Sequence, residues 1–114
     1  MMRRFFVLFC LLINLGILLV APHSAWAEPD LANGAKLFGV NCASCHAGGI
    51  NRVVAAKNLS LVALQKYGKD SVPAIASQIR NGKGAMPAFK KLSDQQVDNI
   101  ANYVLAQAQA NWGR

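Results

Sequence analysis

Apolar residues fill most positions from Phe5 to Ala21. Beyond Ala27 they recur every three or four positions, between glycines, serines and lysines. That spacing puts apolar side chains on one face of a helix. From Asp30 to about Asn41, Leu31, Ala35 and Phe38 fall at i, i+4 and i+7 and mark the expected buried face of a first helix. Ser60 is placed to cap a short helix through Tyr67, which Gly68 ends. Ser71 caps the next, with Pro73 in its first turn; Val72, Ile75, Ala76 and Ile79 form its stripe, and Gly82 and Gly84 stop it. Ser93-Asp94-Gln95-Gln96 reads as a capping box that opens a last helix running to about Ala110. Val97, Ile100, Ala101, Val104 and Ala108 make the apolar stripe there. Residues 47–58, loosened by Gly48-Gly49, read as a loop. No segment alternates with period two for long enough to make a strand, so the expected class is all-α, with about four helices.

The opening segment reads differently. Arg3 and Arg4 precede the apolar run, and Ala25-Trp26-Ala27 fits a small-x-small cleavage site. That order is a secretory signal peptide. The expected organisation is a cleaved leader, residues 1–27, and one domain, residues 28–114. A retained membrane anchor is the alternative, but the run is near the lower length limit for a span and Asn14 and Gly16 interrupt it.

Removal of the leader sharpens the inventory. His23, Met1, Met2 and Cys10 leave with it, so residues 28–114 keep Cys42 and Cys45 as cysteines, His46 as histidine and Met86 as methionine. Cys42-Ala43-Ser44-Cys45-His46 is C-x-x-C-H, the attachment spacing of a c-type haem. Two thiols one helical turn apart can add across the two haem vinyl groups, which places the next histidine under the iron. A thioredoxin-like redox pair and half a zinc site share the first part of this pattern. Zinc would need four ligands, which this inventory does not offer. Met86 lies in Gly82-Lys83-Gly84-Ala85-Met86-Pro87-Ala88-Phe89, a glycine-rich loop rather than an apolar helix face. Glycines there let the backbone approach a flat ligand closely. The set therefore reads as Cys42 and Cys45 for covalent haem attachment, with His46 and Met86 as the two axial iron ligands.

Size and charge agree. A domain of this length has a modest core and gains from a covalently held apolar plate. The formal charge is +7, falling to +5 once Arg3 and Arg4 leave. A mildly basic surface steers toward an acidic docking patch. Nucleic acid is excluded as a partner, because the charges are scattered and the chain is exported.

The stretches Asp30-Leu31-Ala32-Asn33-Gly34-Ala35, Asn41 to Gly49, Asn81 to Phe89, Leu92-Ser93 and Tyr103 to Ala108 together resemble the cytochrome c6 family, the small cytochromes of cyanobacteria and algal plastids. The likeness spans Glu28 to Arg114. It implies a class I cytochrome c fold around one covalently attached haem c, and matches Cys42, Cys45, His46 and Met86 to the family's haem and iron ligands. It also matches Phe38 and Tyr103 to aromatics where the first and last helices cross, with Gly34 permitting the close approach. Gln78 matches a haem-side glutamine thought to bear on the reduction potential. Two positions depart from the pattern. Lys91 stands where the family usually has arginine, and keeps the charge without the planar fork. Arg52 stands where an apolar residue is usual, which leaves room for a sister subtype with a different acceptor.

By this resemblance the chain is no enzyme. It is a monomeric one-electron carrier that takes electrons from the cytochrome b6f complex and gives them to photosystem I or a terminal oxidase. It would work in the thylakoid lumen or the periplasm and would not span the membrane after cleavage. The competing class is a haem peroxidase or gas sensor whose Met86 dissociates. No distal histidine or arginine constellation supports that class.

Overall fold

The computed structural model describes residues 27–114, together with Met2 and Arg4 taken singly. The expected leader therefore lies outside the described residues, save for Met2, Arg4 and its last position, Ala27. Four helices form the frame: α1 (Leu31–Asn41), α3 (Leu61–Lys66), α4 (Val72–Asn81) and α5 (Asp94–Gln109). A one-turn helix, α2 (Ala43–His46), follows α1 directly. Among the described residues the only strand-like feature is one isolated bridge, Lys83 to Met86. None of the described helices is long and apolar enough to cross a membrane.

The helix starts follow from short polar side chains that take up the first free backbone N–H groups. Asp30 accepts from the Asn33 amide, Ser60 from Ala63 and Ser71 from Ala74. Ser93 accepts from Gln96, and the Gln96 side chain returns a bond to the Ser93 amide, which completes the expected capping box. Gly68 and Gly82 take positive φ beyond α3 and α4, at +64° and +63°.

The core lies where α1 and α4 pack on α5. Val97, Ile100, Ala101, Val104 and Ala108 of α5 are all buried, as are Ile75, Ala76 and Ile79 of α4, Leu64 of α3 and Phe38 of α1. The stripe expected on α1 needs correction. Leu31 is 45% exposed, and the buried residues of that helix are Gly34 and Phe38. The α1–α5 crossing is so close that the contact is made by backbone: a Cβ built on Gly34 would meet the Asn99 carbonyl carbon at 2.8 Å and Tyr103 Cβ at 2.9 Å.

One polar residue sits in this crossing. Asn99 is buried, accepts from the Asp30 amide at 3.0 Å and from Gln95 Nε2 at 2.9 Å, and donates to Asn33 Oδ1 at 3.0 Å. Those bonds offset the cost of burying an amide and tie the entry of α1 to α5. The expected loop at 47–58 is a loop with two single helical turns, Ala47–Gly49 and Ala55–Lys57. Asparagines hold it. Asn51 accepts from Val53 and Val54 and donates to the Lys57 carbonyl, while Asn58 donates to Ala55 and accepts from Ser60.

Candidate functional site

α1 delivers the chain into the C-x-x-C-H turn. The Cys42 amide still bonds to the Phe38 carbonyl, and the His46 amide bonds to Cys42, so the five residues form one continuous turn of helix. Cys42 and Cys45 are not joined in a disulfide. Cys42 packs against the core, and burial pushes its thiol up to about 11. A sulfur in that setting is a poor thiolate nucleophile. Cys45 is exposed.

His46 has a defined orientation. Its Nδ1 lies 2.9 Å from the Ile50 carbonyl oxygen. A carbonyl only accepts, so Nδ1 carries the proton and Nε2 keeps its lone pair free. That is the arrangement in which a second hydrogen bond fixes the ring for metal ligation.

Met86 is held from three sides. Lys83 and Met86 exchange backbone hydrogen bonds of 3.0 and 3.1 Å. The Phe89 amide donates to the Ile79 carbonyl at 3.0 Å and pins the outgoing strand of the loop to α4. Gly82 closes the fold-back, for a Cβ there would meet the Met86 oxygen at 2.5 Å and the Pro87 carbonyl carbon at 2.7 Å. The half-buried Met86 packs against the core, and Gln78 Nε2 points at its sulfur from 3.7 Å. Gln78 therefore bears on the Met86 sulfur itself.

The donor set fits a c-type haem. It comprises two thiols on one helical turn, an imidazole with a free Nε2 and a thioether on a tied loop. Leu59, Leu61, Val72, Phe89 and Leu92 stay half-buried against the core, an apolar edge that suits a flat apolar group. Among the described residues no group of three or more histidine, cysteine and carboxylate side chains converges, so a zinc-type cluster is not assembled there. A surface hollow of about 440 Å³ is lined by Gly49, Ile50, Asn58, Asn111 and Arg114 and by none of the four candidate ligands.

Phe38 and Tyr103 meet at the helix crossing as expected, with ring centroids 5.4 Å apart. The sequence reading missed a third ring, Trp112, 5.5 Å from Phe38 and edge-on to Tyr103 at 6.1 Å. Lys91 and Arg52, the two departures, are exposed; the Arg52 amide bonds back to the Cys45 carbonyl at 3.1 Å. Lys57 and Lys66 both lie over the Tyr67 ring, at 5.8 and 5.5 Å from its centroid, next to the exposed Val62. Their shared face is basic and partly apolar.

Comparison with known proteins places this geometry among electron-transfer domains. Residues 29–104 match a family model described as cytochrome C oxidase, cbb3-type, subunit III. The chain is 52% identical to cytochrome c6 of the red alga Cyanidioschyzon merolae, over 79% of this chain and 86% of that protein. It is 46% identical to cytochrome c6 of Nostoc sp., over 97% of this chain and 99% of the other. Among solved structures, cytochrome c6 of the diatom Phaeodactylum tricornutum superposes with a TM-score of 0.71 at 46% identity, covering 73% of this chain and 99% of that one. The family model carries an oxidase subunit's description, whereas relatives matched over nearly their full length are cytochromes c6.

Proposed function

The chain belongs to the cytochrome c6 family, with a class I cytochrome c fold, and on that premise we propose how its residues work and whom they serve. The family makes it a c-type cytochrome electron carrier with one covalently bound haem, and not an enzyme. In our reading Cys42 and Cys45 would hold the haem as thioethers, and His46 Nε2 and Met86 Sδ would ligate its iron. The observation that carries this is the hydrogen bond from His46 Nδ1 to the Ile50 carbonyl, which leaves one nitrogen free to ligate.

When bound, the haem supplies a one-electron ferric–ferrous couple. The chain's own residues set how that couple behaves. Ligation by both His46 and Met86 would leave the iron no open position for oxygen or peroxide. Met86 offers a soft thioether that favours ferrous iron and raises the potential. The Lys83–Met86 bridge and the Phe89–Ile79 bond hold the backbone that carries Met86, which disfavours a sensor built on a loop that swings its methionine away. Residues 28–114 contain no second histidine to act as a distal acid–base group, as a peroxidase needs.

The donor we propose is the cytochrome b6f complex and the acceptor photosystem I, with the thylakoid lumen as the compartment. Residues 1–27 would be removed on export. The basic face around Lys57, Lys66 and Tyr67 supports brief electrostatic docking on an acidic partner surface. Denaturing the purified protein in acidified organic solvent tests the attachment. Haem should stay with a polypeptide that begins at Glu28, and its mass should equal residues 28–114 plus one haem. Free haem in the extract with an apoprotein mass would refute thioether attachment, and a membrane-bound form beginning at Met1 would refute cleavage.

A further inference from the structure

His46 keeps its orientation only while the Ile50 carbonyl stays beside Nδ1. Ile50 is exposed, and its own amide reaches Ala47 only at 3.4 Å. The anchoring comes from its neighbours. Gly49 is buried and accepts from the Leu59 amide at 2.8 Å. Leu59 in turn accepts from the indole N–H of Trp112 at 2.9 Å, a bond that spans 53 positions. The Trp112 ring lies directly over Gly49, where a Cβ would come within 2.5 and 2.6 Å of two ring carbons. The same ring packs on Phe38 of α1 and Tyr103 of α5.

The tail beyond α5 is shaped to put it there. Asn111, Trp112 and Gly113 take successive left-handed conformations, with φ of +51°, +55° and +75°. Two non-glycine residues persist in that region only where their surroundings hold them. Here Asn111 Nδ2 donates to the Arg114 carbonyl at 3.2 Å, and Arg114 Nη2 reaches the Gly48 carbonyl at 3.4 Å.

We propose that Trp112 is a positioning residue. The strap 111–114 clamps the Gly48–Leu59 segment to the α1–α5 crossing, and so holds the Ile50 carbonyl that sets the tautomer and tilt of His46. The proposal rests on the reading of His46 as an iron ligand. It assigns a task to the one aromatic residue of the tail, which no periodic pattern or motif marked.

The test is solvent exchange of the His46 Nδ1 proton in the ferrous holoprotein, followed by NMR with histidine labelled at its ring nitrogens. Trp112→Phe keeps a ring but removes the indole donor. Losing one hydrogen bond of ordinary strength corresponds to roughly a fivefold change in an opening equilibrium. Trp112→Phe should therefore speed exchange by about fivefold, and Trp112→Ala, which also removes the ring, by more than about tenfold. Ser71→Ala, which removes the cap of α4 and leaves both the strap and the α1–α5 crossing untouched, serves as the control and should leave exchange near wild type well below its melting temperature. Equal acceleration in Ser71→Ala, or exchange within about twofold of wild type in Trp112→Ala, would overturn the strap. His46 ring protons at ordinary positions, without the large ring-current shift of a haem ligand, would instead overturn the ligation reading beneath it.

Discussion

Gly34 sits where α1 and α5 touch through their backbones, so it tolerates no added side chain without a shift. In Gly34→Ala the new methyl carbon would stand 2.8 Å from the Asn99 carbonyl carbon and 2.9 Å from Tyr103 Cβ, with the Asn99 oxygen nearer still. Cβ atoms essentially never come within 3.0 Å of such neighbours. The obstacle is helix backbone, which cannot swing aside as a side chain can, so α1 and α5 must part by several tenths of an ångström or more. Overpacking of this kind costs about 1–3 kcal/mol. Separation also stretches the Asn99 bonds to Asp30 and Asn33, which places the cost toward the upper end. Alanine's better helix propensity returns about 1 kcal/mol. The net loss is about 2 kcal/mol, and at roughly 4–8 °C per kcal/mol for a domain of this size the melting temperature should fall by about 8–16 °C. Gly39 lies on the same helix, and a Cβ there meets nothing within 4 Å. Gly39→Ala should therefore gain from propensity alone and raise the melting temperature by a few degrees. Thermal unfolding of the two holoproteins, followed by far-UV circular dichroism, decides the matter. If both variants moved in the same direction, backbone contact at the crossing would not be what Gly34 provides.

Met86→Ala should keep the haem attached, since Cys42 and Cys45 are untouched. It should abolish the weak far-red band of methionine-bound ferric haem and lower the potential in a redox titration, because ferrous iron loses its preferred ligand; an unchanged spectrum would exclude Met86 as a ligand. Gln78→Leu removes the donor aimed at the Met86 sulfur and should lower the potential while the far-red band remains, because an N–H directed at sulfur reduces its donation to the iron. Lys57→Glu with Lys66→Glu should slow the second-order transfer rate to photosystem I several-fold at low salt, with the gap closing as ionic strength rises. A rate difference that persisted at high salt would remove electrostatic steering as its cause.

The helix framework was legible because its determinants are local. Ser60, Ser71 and Ser93 each cap the helix they precede, and every residue of the stripe read on α5 is buried. Leu31 went wrong for a physical reason. Apolar periodicity locates the face that buries side chains, but α1 meets α5 through Gly34, which has none, so the pattern pointed past the true contact. Asn99 falls outside the apolar stripe of α5, on the side opposite Val97, so periodicity assigns it to solvent; its value depends on Asp30 and Asn33, more than sixty positions away. The four candidate ligands could be named from sequence because C-x-x-C-H and the methionine loop are short motifs whose chemistry needs fixed spacing. Trp112 was not, because its left-handed backbone and its place over Gly49 exist only once α1, α5 and the 47–59 segment have come together.

The two candidate iron ligands depend on different parts of the frame. His46 leans on a segment tied by Leu59 and Trp112 to the α1–α5 crossing. Met86 leans on α4, through the Phe89–Ile79 bond and the side chain of Gln78. Both α1 and α4 pack on α5, so the two sides share one helix as their common reference. Ligands held in this way would keep their separation whichever oxidation state the iron adopts. That keeps the structural cost of gaining or losing an electron small. A sensor or peroxidase would instead need one side to yield, with few ties on the methionine loop. The ties on Met86 run the other way, and they favour a carrier whose ligands stay in place while the electron moves.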